Sequence, residues 1–360
     1  MKRFQINEGV KIFRVNDDVA AILQSDNTQM LNDQTGTTEF LLSIKKSPNR
    51  ALNGPPHDKY IIDIGTQQNH ALKKHNIYLI VRSLKGNDGR NQRGYVLNTG
   101  DVIKLGRIEY RVAEIQNGQN KPISSNINIG EKEFNIDQQE FPTDTEPICR
   151  YCLTEQKDNN VDAIEHALMF CCDCQGSAGG VHFICLKQWI KNKIVSKTSN
   201  NTATYQWKKL ECEVCKKQLP RKLIFKGEVH ELINIERPDC PYIILEKIGG
   251  QNEGGTGSTL SLIVPTETDS IKLGRGHQCD LRISDISVSR IHAFLKFVDG
   301  NFLIYDNESK FGTLILLSQD YEIKNDKAAI QIGRTVFTFV QKTPVNYLAQ
   351  MDNNAGNPIH

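Results

Sequence analysis

The chain has 360 residues, with 44 basic and 42 acidic side chains and a formal charge of +2, a balance that excludes a general attraction for polyanions. The length fits two or three domains, and no apolar run approaches the roughly eighteen residues needed to span a bilayer. The opening MKRFQINEGV carries no apolar signal segment, so the ten cysteines are expected to stay reduced and to serve metal binding rather than a disulfide framework.

From about Phe4 to Gln116 short alternating apolar runs predict strands. The stretch VIKLGRIEYRV, Val102 to Val112, is echoed by AIQIGRTVFTF, Ala329 to Phe339: apolar alternation, then Gly-Arg, then two further alternating positions. The pentapeptide IKLGR also occurs twice, at Ile103 to Arg107 and Ile271 to Arg275. No S-x-x-H follows Arg107, so Arg107 reads as a strand-end or turn residue. The segments DQTGTTEF and NHALKKHN read as exposed loops. Asn/Gln-rich sequence over 117–145, with Pro122 and Pro142, reads as a linker.

Eight metal-ligand side chains follow: Cys149-x-x-Cys152, Cys172-x-Cys174, His182-x-x-Cys185 and Cys212-x-x-Cys215. Pairs at this spacing turn two side chains onto one ion, and eight thiolate or imidazole donors fill two tetrahedral Zn²⁺ sites with no open position. Closed sites are structural. Seven residues separate Cys174 from His182, and Leu210 stands two before Cys212, which excludes a PHD-type finger. Cys171 adjoins Cys172, and a register pairing Cys171 with Cys174 is the alternative to one using Cys172. The SKTSNNTATYQ insertion between Cys185 and Cys212 reads as a loop.

The run CCDCQGSAGGVHFICLKQWI, Cys171 to Ile190, with CRYCLTE before it and CEVCKKQLP after it, resembles the RING-CH (RING-variant) family of ubiquitin ligases. The resemblance implies interleaved ligands: Cys149, Cys152, His182 and Cys185 on one ion, and Cys172, Cys174, Cys212 and Cys215 on the other. It also implies a surface that docks a ubiquitin-loaded conjugating enzyme through Tyr151, Trp189 and Lys216. Such a module takes no ubiquitin onto its own cysteines; it restrains the partner's thioester by proximity and orientation. Trp189 read alone is equally a packing residue against the zinc lobes, and Lys216 a solvated surface charge.

Two basic clusters, Lys187, Lys191, Lys193 and Lys197, then Lys216, Lys217, Arg221 and Lys222, read as solvated faces without the interleaved aromatics of a nucleic-acid surface. The glycine run GGQNEGGTGS, Gly249 to Ser258, lacks the Gly-Lys-Ser/Thr ending of a P-loop and reads as a flexible loop. Cys240 and Cys279 stand outside the metal set as inert packing thiols.

From Ile271 short apolar runs are broken by Gly, Asp and Asn, with a hairpin expected at Asp299-Gly300-Asn301. Without a helical period, a β-sandwich is the expected class. Gly274-Arg275, Ser289-Arg290-x-His292 and Ser309-x-x-Gly312-Thr313 are similar to the forkhead-associated (FHA) family of phosphothreonine-binding domains. The resemblance implies that Arg275 and Ser289 bind phosphate, that Arg290 assists, and that His292 braces the loops. The family often has asparagine before Gly312; this chain has Phe311, after Lys310.

The expected architecture is multidomain and mainly β: FHA-type β-sandwiches flanking a two-zinc cross-brace α+β RING-CH module. Residues 1–116 form a degenerate FHA-like sandwich, 117–145 the linker, 146–222 the zinc module, 235–342 the FHA domain and 343–360 a disordered tail. The expected activity is that of a soluble, cytoplasmic or nuclear ubiquitin ligase that binds two Zn²⁺. Its expected partners are a ubiquitin-conjugating enzyme, ubiquitin and phosphothreonine-containing proteins, with no nucleic acid and no membrane. The alternative is a phosphopeptide-binding adaptor whose zinc module is structural or a docking surface.

Overall fold

Alternation of apolar and polar residues resolves into strands through most of the chain, and the described residues include one α-helix, Phe183–Lys193. The structure, a computed structural model, describes residues 9–15, 18–24, 38–46, 60–64, 76–84, 94–118, 123–124, 133–139, 148–155, 163–199, 201–207, 210–233, 235–248, 258–265, 270–323 and 327–340. The tail at 343–360 and the glycine run at 249–257 lie outside them, as do residues 33–37 and 69–75 of the two segments read as loops, while Thr38–Phe40 of the first belongs to a strand. The chain divides into two units, Met1–Tyr95 with Tyr305–His360, and Val96–Ile304.

In the first unit one sheet runs in the order Asp18–Gln24, Gly9–Val15, Thr38–Lys46, Tyr60–Asp63, Tyr321–Ile323. Its alternating residues Ile12, Leu42, Ile44 and Ile62 are buried. A second row places Ile77–Ile80 between Thr313–Leu316 and Lys327–Ile332, with Thr335–Val340 beyond. Strands from the first hundred residues thus pair with strands more than two hundred positions later.

In the second unit a sheet runs Val195–Thr198, Thr202–Trp207, Ser258–Ile263, Tyr242–Ile248, Ile108–Gln116, Val102–Leu105. Another runs Leu281–Arg282, Ile271–Gly274, Ala293–Val298, Asn301–Asp306. Asp299 and Gly300, at φ 49° and 74°, join the last two strands. Positive φ at both central residues is the geometry of a type I′ turn, so the Asp-Gly signal is a hairpin. The two echoed Gly-Arg segments are hairpins as well, with Gly106 at φ 62° and Gly333 at φ 57°.

One buried carboxylate joins neighbouring strands. Glu114 accepts a two-pronged contact from Arg237, with N···O distances of 2.8 and 2.9 Å, and the Tyr242 hydroxyl donates to the same carboxylate. A buried charge paired on both oxygens avoids the penalty of an isolated one.

The zinc-ligand segment builds its own small core from Leu168, Met169, Val181, Phe183, Leu186, Ile190, Trp207 and Leu223. The helix presents Phe183, Leu186 and Ile190 to it, an i, i+3, i+7 stripe. Lys191 and Lys193 in the last turn favour the helix's negative end. Within the stretch read as a linker, Phe134–Asn135 forms a short strand parallel to Lys222–Phe225, and Ile136 is buried in the same core.

The insertion read as a loop is instead a hairpin, Val195–Thr198 with Thr202–Trp207, and its second strand pairs along all six residues with Ser258–Ile263. β-Branched Thr202 and Thr204 suit a strand, and the backbone edge of Ser258–Ile263 supplies a partner that local composition does not announce. Trp207, at the end of this strand, is 4% exposed and enters the zinc-module core. Trp207→Ala should destabilise the chain by about 3–5 kcal/mol, read as a lower midpoint of urea unfolding followed by circular dichroism.

Candidate metal centres and phosphate loop

Two Cys-x-x-Cys segments are built alike. In the first, Leu153 N–H donates to the Cys149 carbonyl at 2.8 Å; in the second, Lys216 N–H donates to the Cys212 carbonyl at 3.0 Å. Leu153 and Lys216, each directly after the second cysteine, take φ values of 59° and 61°. This left-handed residue closes each loop so that both thiols of a pair face one point. Short bridges, Ile148 with Glu155 and Glu211 with Gln218, seal the loops behind.

The donor atoms of Cys149, Cys152, His182 and Cys185 lie within 4.8 Å of one another, and so do those of Cys172, Cys174, Cys212 and Cys215. Cys152 Sγ stands 3.2 Å from His182 Nδ1, and Cys174 Sγ 3.6 Å from Cys212 Sγ. Pairs taken alternately along the chain meet at one centre, which is a cross-brace. Cys171 stands outside both groups. It is buried, and burial followed by the neighbouring Cys172 pushes its thiol up to about 12.

The chemistry of the two donor sets fits a thiophilic dication. Burial, then the neighbouring Cys149, pushes the Cys185 thiol up to about 12, whereas a hydrogen bond with Thr154 brings Cys152 to about 6. Crowded thiols resist ionising together, and a bound dication removes that resistance. With no carboxylate among the donors and every position taken by sulfur or nitrogen, the sets match structural Zn²⁺.

Close approach of main chain is needed around these centres. A Cβ on Gly180 would lie 2.6 Å from the Ile148 carbonyl oxygen, and one on Gly179 2.8 Å from that of Cys174. Arg150 crosses from the first ligand pair to the second centre: its Nη1 donates to Cys212 Sγ at 3.3 Å and to the Ala178 carbonyl at 3.2 Å. A cation against a four-thiolate set offsets part of its negative charge.

On the outside of the module Tyr151 and Trp189 stack with ring centroids 6.4 Å apart. Trp189 is half-buried against the core, and the Lys193 ammonium lies 5.2 Å from its ring centroid. Lys193 also pairs with Glu213 at 3.0 Å and holds its carboxyl below the usual carboxylate range. Lys216 is exposed and donates to the Glu213 carbonyl at 2.9 Å. Leu153 and Val214 add exposed apolar side chains, 76% and 66% accessible. Sequence reasoning passed over both; the available signal was an apolar residue inside a ligand loop too short to bury it.

The residues expected to bind phosphate lie together in the second unit, in the loops that follow Ile271–Gly274 and precede Ala293–Val298. Arg275 N–H donates to the Ser289 carbonyl and its Nε to the Val288 carbonyl, both at 3.0 Å. Gly276 N–H donates to the Arg290 carbonyl at 2.9 Å. His292 is fully buried, and its Nδ1 accepts the Ser289 N–H at 3.1 Å. Ser289 is half-buried, while the side chains of Arg275 and Arg290 are exposed. In the other unit Ser309 and Thr313 are buried, and their hydroxyls donate to Asp306 at 2.6 and 2.8 Å. These two are structural. Phe311 is 52% exposed, with the Lys310 ammonium 5.4 Å from its ring centroid.

A family model described as a RING-variant domain matches residues 149–215, and one described as an FHA domain matches residues 271–334. No curated protein and no solved structure matches the chain. The chain therefore carries a RING-variant domain and an FHA domain, a combination that supports a protein of ubiquitin-ligase type with phosphopeptide binding. No helix among the described residues is long and apolar enough to cross a membrane.

Cys172→Ala should lower bound zinc, measured by mass spectrometry of the metal, while Cys171→Ala should leave it unchanged. Loss in Cys171→Ala with zinc retained in Cys172→Ala would move the ligand to Cys171.

Proposed function

We propose that the chain is a RING-type ubiquitin ligase that positions a ubiquitin-loaded conjugating enzyme and recruits phosphothreonine-containing proteins through its FHA domain. The observation that carries the reading is the stack of Tyr151 on half-buried Trp189, together with the exposed apolar side chains of Leu153 and Val214 at the ligand loops. The donor groups and the buried core serve folding, yet Tyr151, Leu153 and Val214 stay accessible. Aromatic and aliphatic side chains held on a rigid support suit a protein partner.

Two Zn²⁺ ions would be held by Cys149, Cys152, His182 and Cys185, and by Cys172, Cys174, Cys212 and Cys215. The metal supplies folding energy, roughly 10–16 kcal/mol for a structural site, and no reacting group. The chain contributes no covalent intermediate. A substrate amine attacks the conjugating enzyme's thioester carbonyl, the carbon–sulfur bond breaks, and the ubiquitin carboxyl passes to the amine as an isopeptide. Tyr151, Trp189 and Lys216 orient the loaded enzyme, an effect of proximity rather than of acid–base chemistry.

Phosphothreonine brings about −1.5 to −2 charges and three acceptor oxygens. Arg275 and Ser289 would take the phosphate, with Arg290 assisting from the exposed rim. Joining recognition to transfer in one chain raises the effective concentration of target lysines beside the thioester.

Discharge of ubiquitin from a panel of loaded conjugating enzymes tests the first half. Wild-type chain should accelerate it, and Trp189→Ala and Leu153→Ala should remove the acceleration while both zinc equivalents stay bound. No acceleration with any enzyme would leave an adaptor as the reading. For the second half, Arg275→Ala should weaken phosphothreonine-peptide binding at least about tenfold, the loss of one charge-assisted bond of about 1.5–3 kcal/mol, as measured by fluorescence anisotropy.

A further inference from the structure

Both copies of Ile-Lys-Leu-Gly-Arg end on the same short segment, 285–289. The copy at 271–275 reaches it through Arg275, whose main chain and guanidinium hold the Ser289 and Val288 carbonyls. The copy at 103–107 reaches it from the tip of its hairpin. There Arg107 N–H donates to Ser287 Oγ at 2.8 Å, and Arg107 Nη2 lies 3.3 and 3.4 Å from the two Asp285 oxygens. Gly106 makes the approach possible: it takes φ 62°, and a Cβ there would stand 2.7 Å from the Ser287 carbonyl oxygen.

Asp285 joins these contacts to the loop's own turn. Its carboxylate accepts the Ser287 N–H at 2.8 Å as well as the Ser287 hydroxyl, and its carbonyl accepts the Val288 N–H at 3.1 Å. Val288 is buried, and Ser289 follows with its N–H on His292. Any slackening at 285–287 is therefore passed by two covalent steps to the serine of the phosphate loop. These hydrogen bonds also hold the Asp285 carboxyl below the usual carboxylate range, Ser287 contributing most and Arg107 less.

We propose that Gly106 and Arg107 are positioning residues of the phosphate site, acting through Ser287 and Asp285 to fix the conformation in which Ser289 and Arg275 take phosphothreonine. The inference rests on the reading of that loop as a phosphothreonine pocket. Arg107 does not touch the phosphate in this arrangement. Its side chain is 70% exposed, against 17% for Asp285, and a pair open to water on the arginine side contributes little to global stability. What it supplies is a conformational restraint, and a preformed loop binds more tightly because less ordering remains to be done on binding.

The experiment measures affinity for a phosphothreonine peptide and for its unphosphorylated twin. The chains compared are wild type and the variants Gly106→Ala, Arg107→Ala, Arg107→Lys, Asp285→Asn and Arg275→Ala, each at low and high ionic strength and with its thermal midpoint recorded. Gly106→Ala should weaken phosphopeptide binding about tenfold or more, since strained φ and the clash with Ser287 add. Arg107→Ala should weaken it several-fold with an unchanged midpoint and a deficit that shrinks as salt screens the pair. Arg107→Lys should recover part of that loss.

Asp285→Asn separates positioning from direct charge attraction. It frees Arg107 and removes a negative charge, so tighter binding in this variant would overturn the positioning role, whereas weaker binding supports it. If wild type binds the phosphopeptide and needs Arg275, but tolerates the Gly106 and Arg107 changes without loss, the inference fails and the pocket stands. If wild type binds no phosphothreonine peptide, the pocket itself fails and takes the inference with it.

Discussion

Four sulfur or imidazole donors lie within 4.8 Å of one another in each of two groups, an arrangement that suits a cation, and the cysteine-rich module is organised around these two groups. Because the ligand pairs alternate, each centre draws together segments that flank a ligand of the other. Neither loop can shift alone. The rest of the module follows from this: Gly179 and Gly180 where main chains touch, the left-handed residues after Cys152 and Cys215, and Arg150 crossing from one ligand pair to the thiols of the other.

That constraint extends beyond the metal centres through the inserted hairpin. Its second strand has Trp207 in the zinc-module core at one end. At the other end the buried Thr202 hydroxyl donates to the Asp280 carbonyl at 2.7 Å. Asp280 in turn accepts the Lys272 N–H at 2.7 Å, inside the strand that leads to Arg275. Between these ends the strand is paired residue for residue with Ser258–Ile263. Packing at Trp207 and hydrogen bonds at Thr202 and Asp280 thus connect the core of the cysteine-rich module to the strand that leads to Arg275.

The loop around Arg275, Ser289 and Arg290 combines exposed arginines with a support that leaves little freedom. His292, Gly274 and Gly276 lie behind and beside it, the glycines admitting the Arg290 carbonyl where a Cβ would collide. Polar recognition of phosphate requires donors already in place, since each donor that must be ordered on binding subtracts from the gain. In the cysteine-rich module Tyr151 and Trp189 are likewise held in place, stacked on each other.

Much of this was legible in the residues. Ligand spacing identified the metal pairs, Asp299-Gly300 marked its hairpin, and alternation marked strands, because each is a local relation carried by a few neighbouring side chains. Local relations stop there. Alternation announces that Ile108–Gln116 and Ile77–Ile80 are strands but not that they lie beside Tyr242–Ile248 and Thr313–Leu316. A strand's partner is whichever edge the whole chain leaves unpaired next to it. The same holds for the insertion read as a loop, whose strand character depends on a neighbour over fifty residues away. Cys172 rather than Cys171 lies with the other three donors because folding brings only its thiol to that group, although both residues are buried. The sequence by itself determined which side chains are available as metal donors and where strands can form; tertiary structure alone decided which of them meet, since meeting depends on main-chain approach between distant segments.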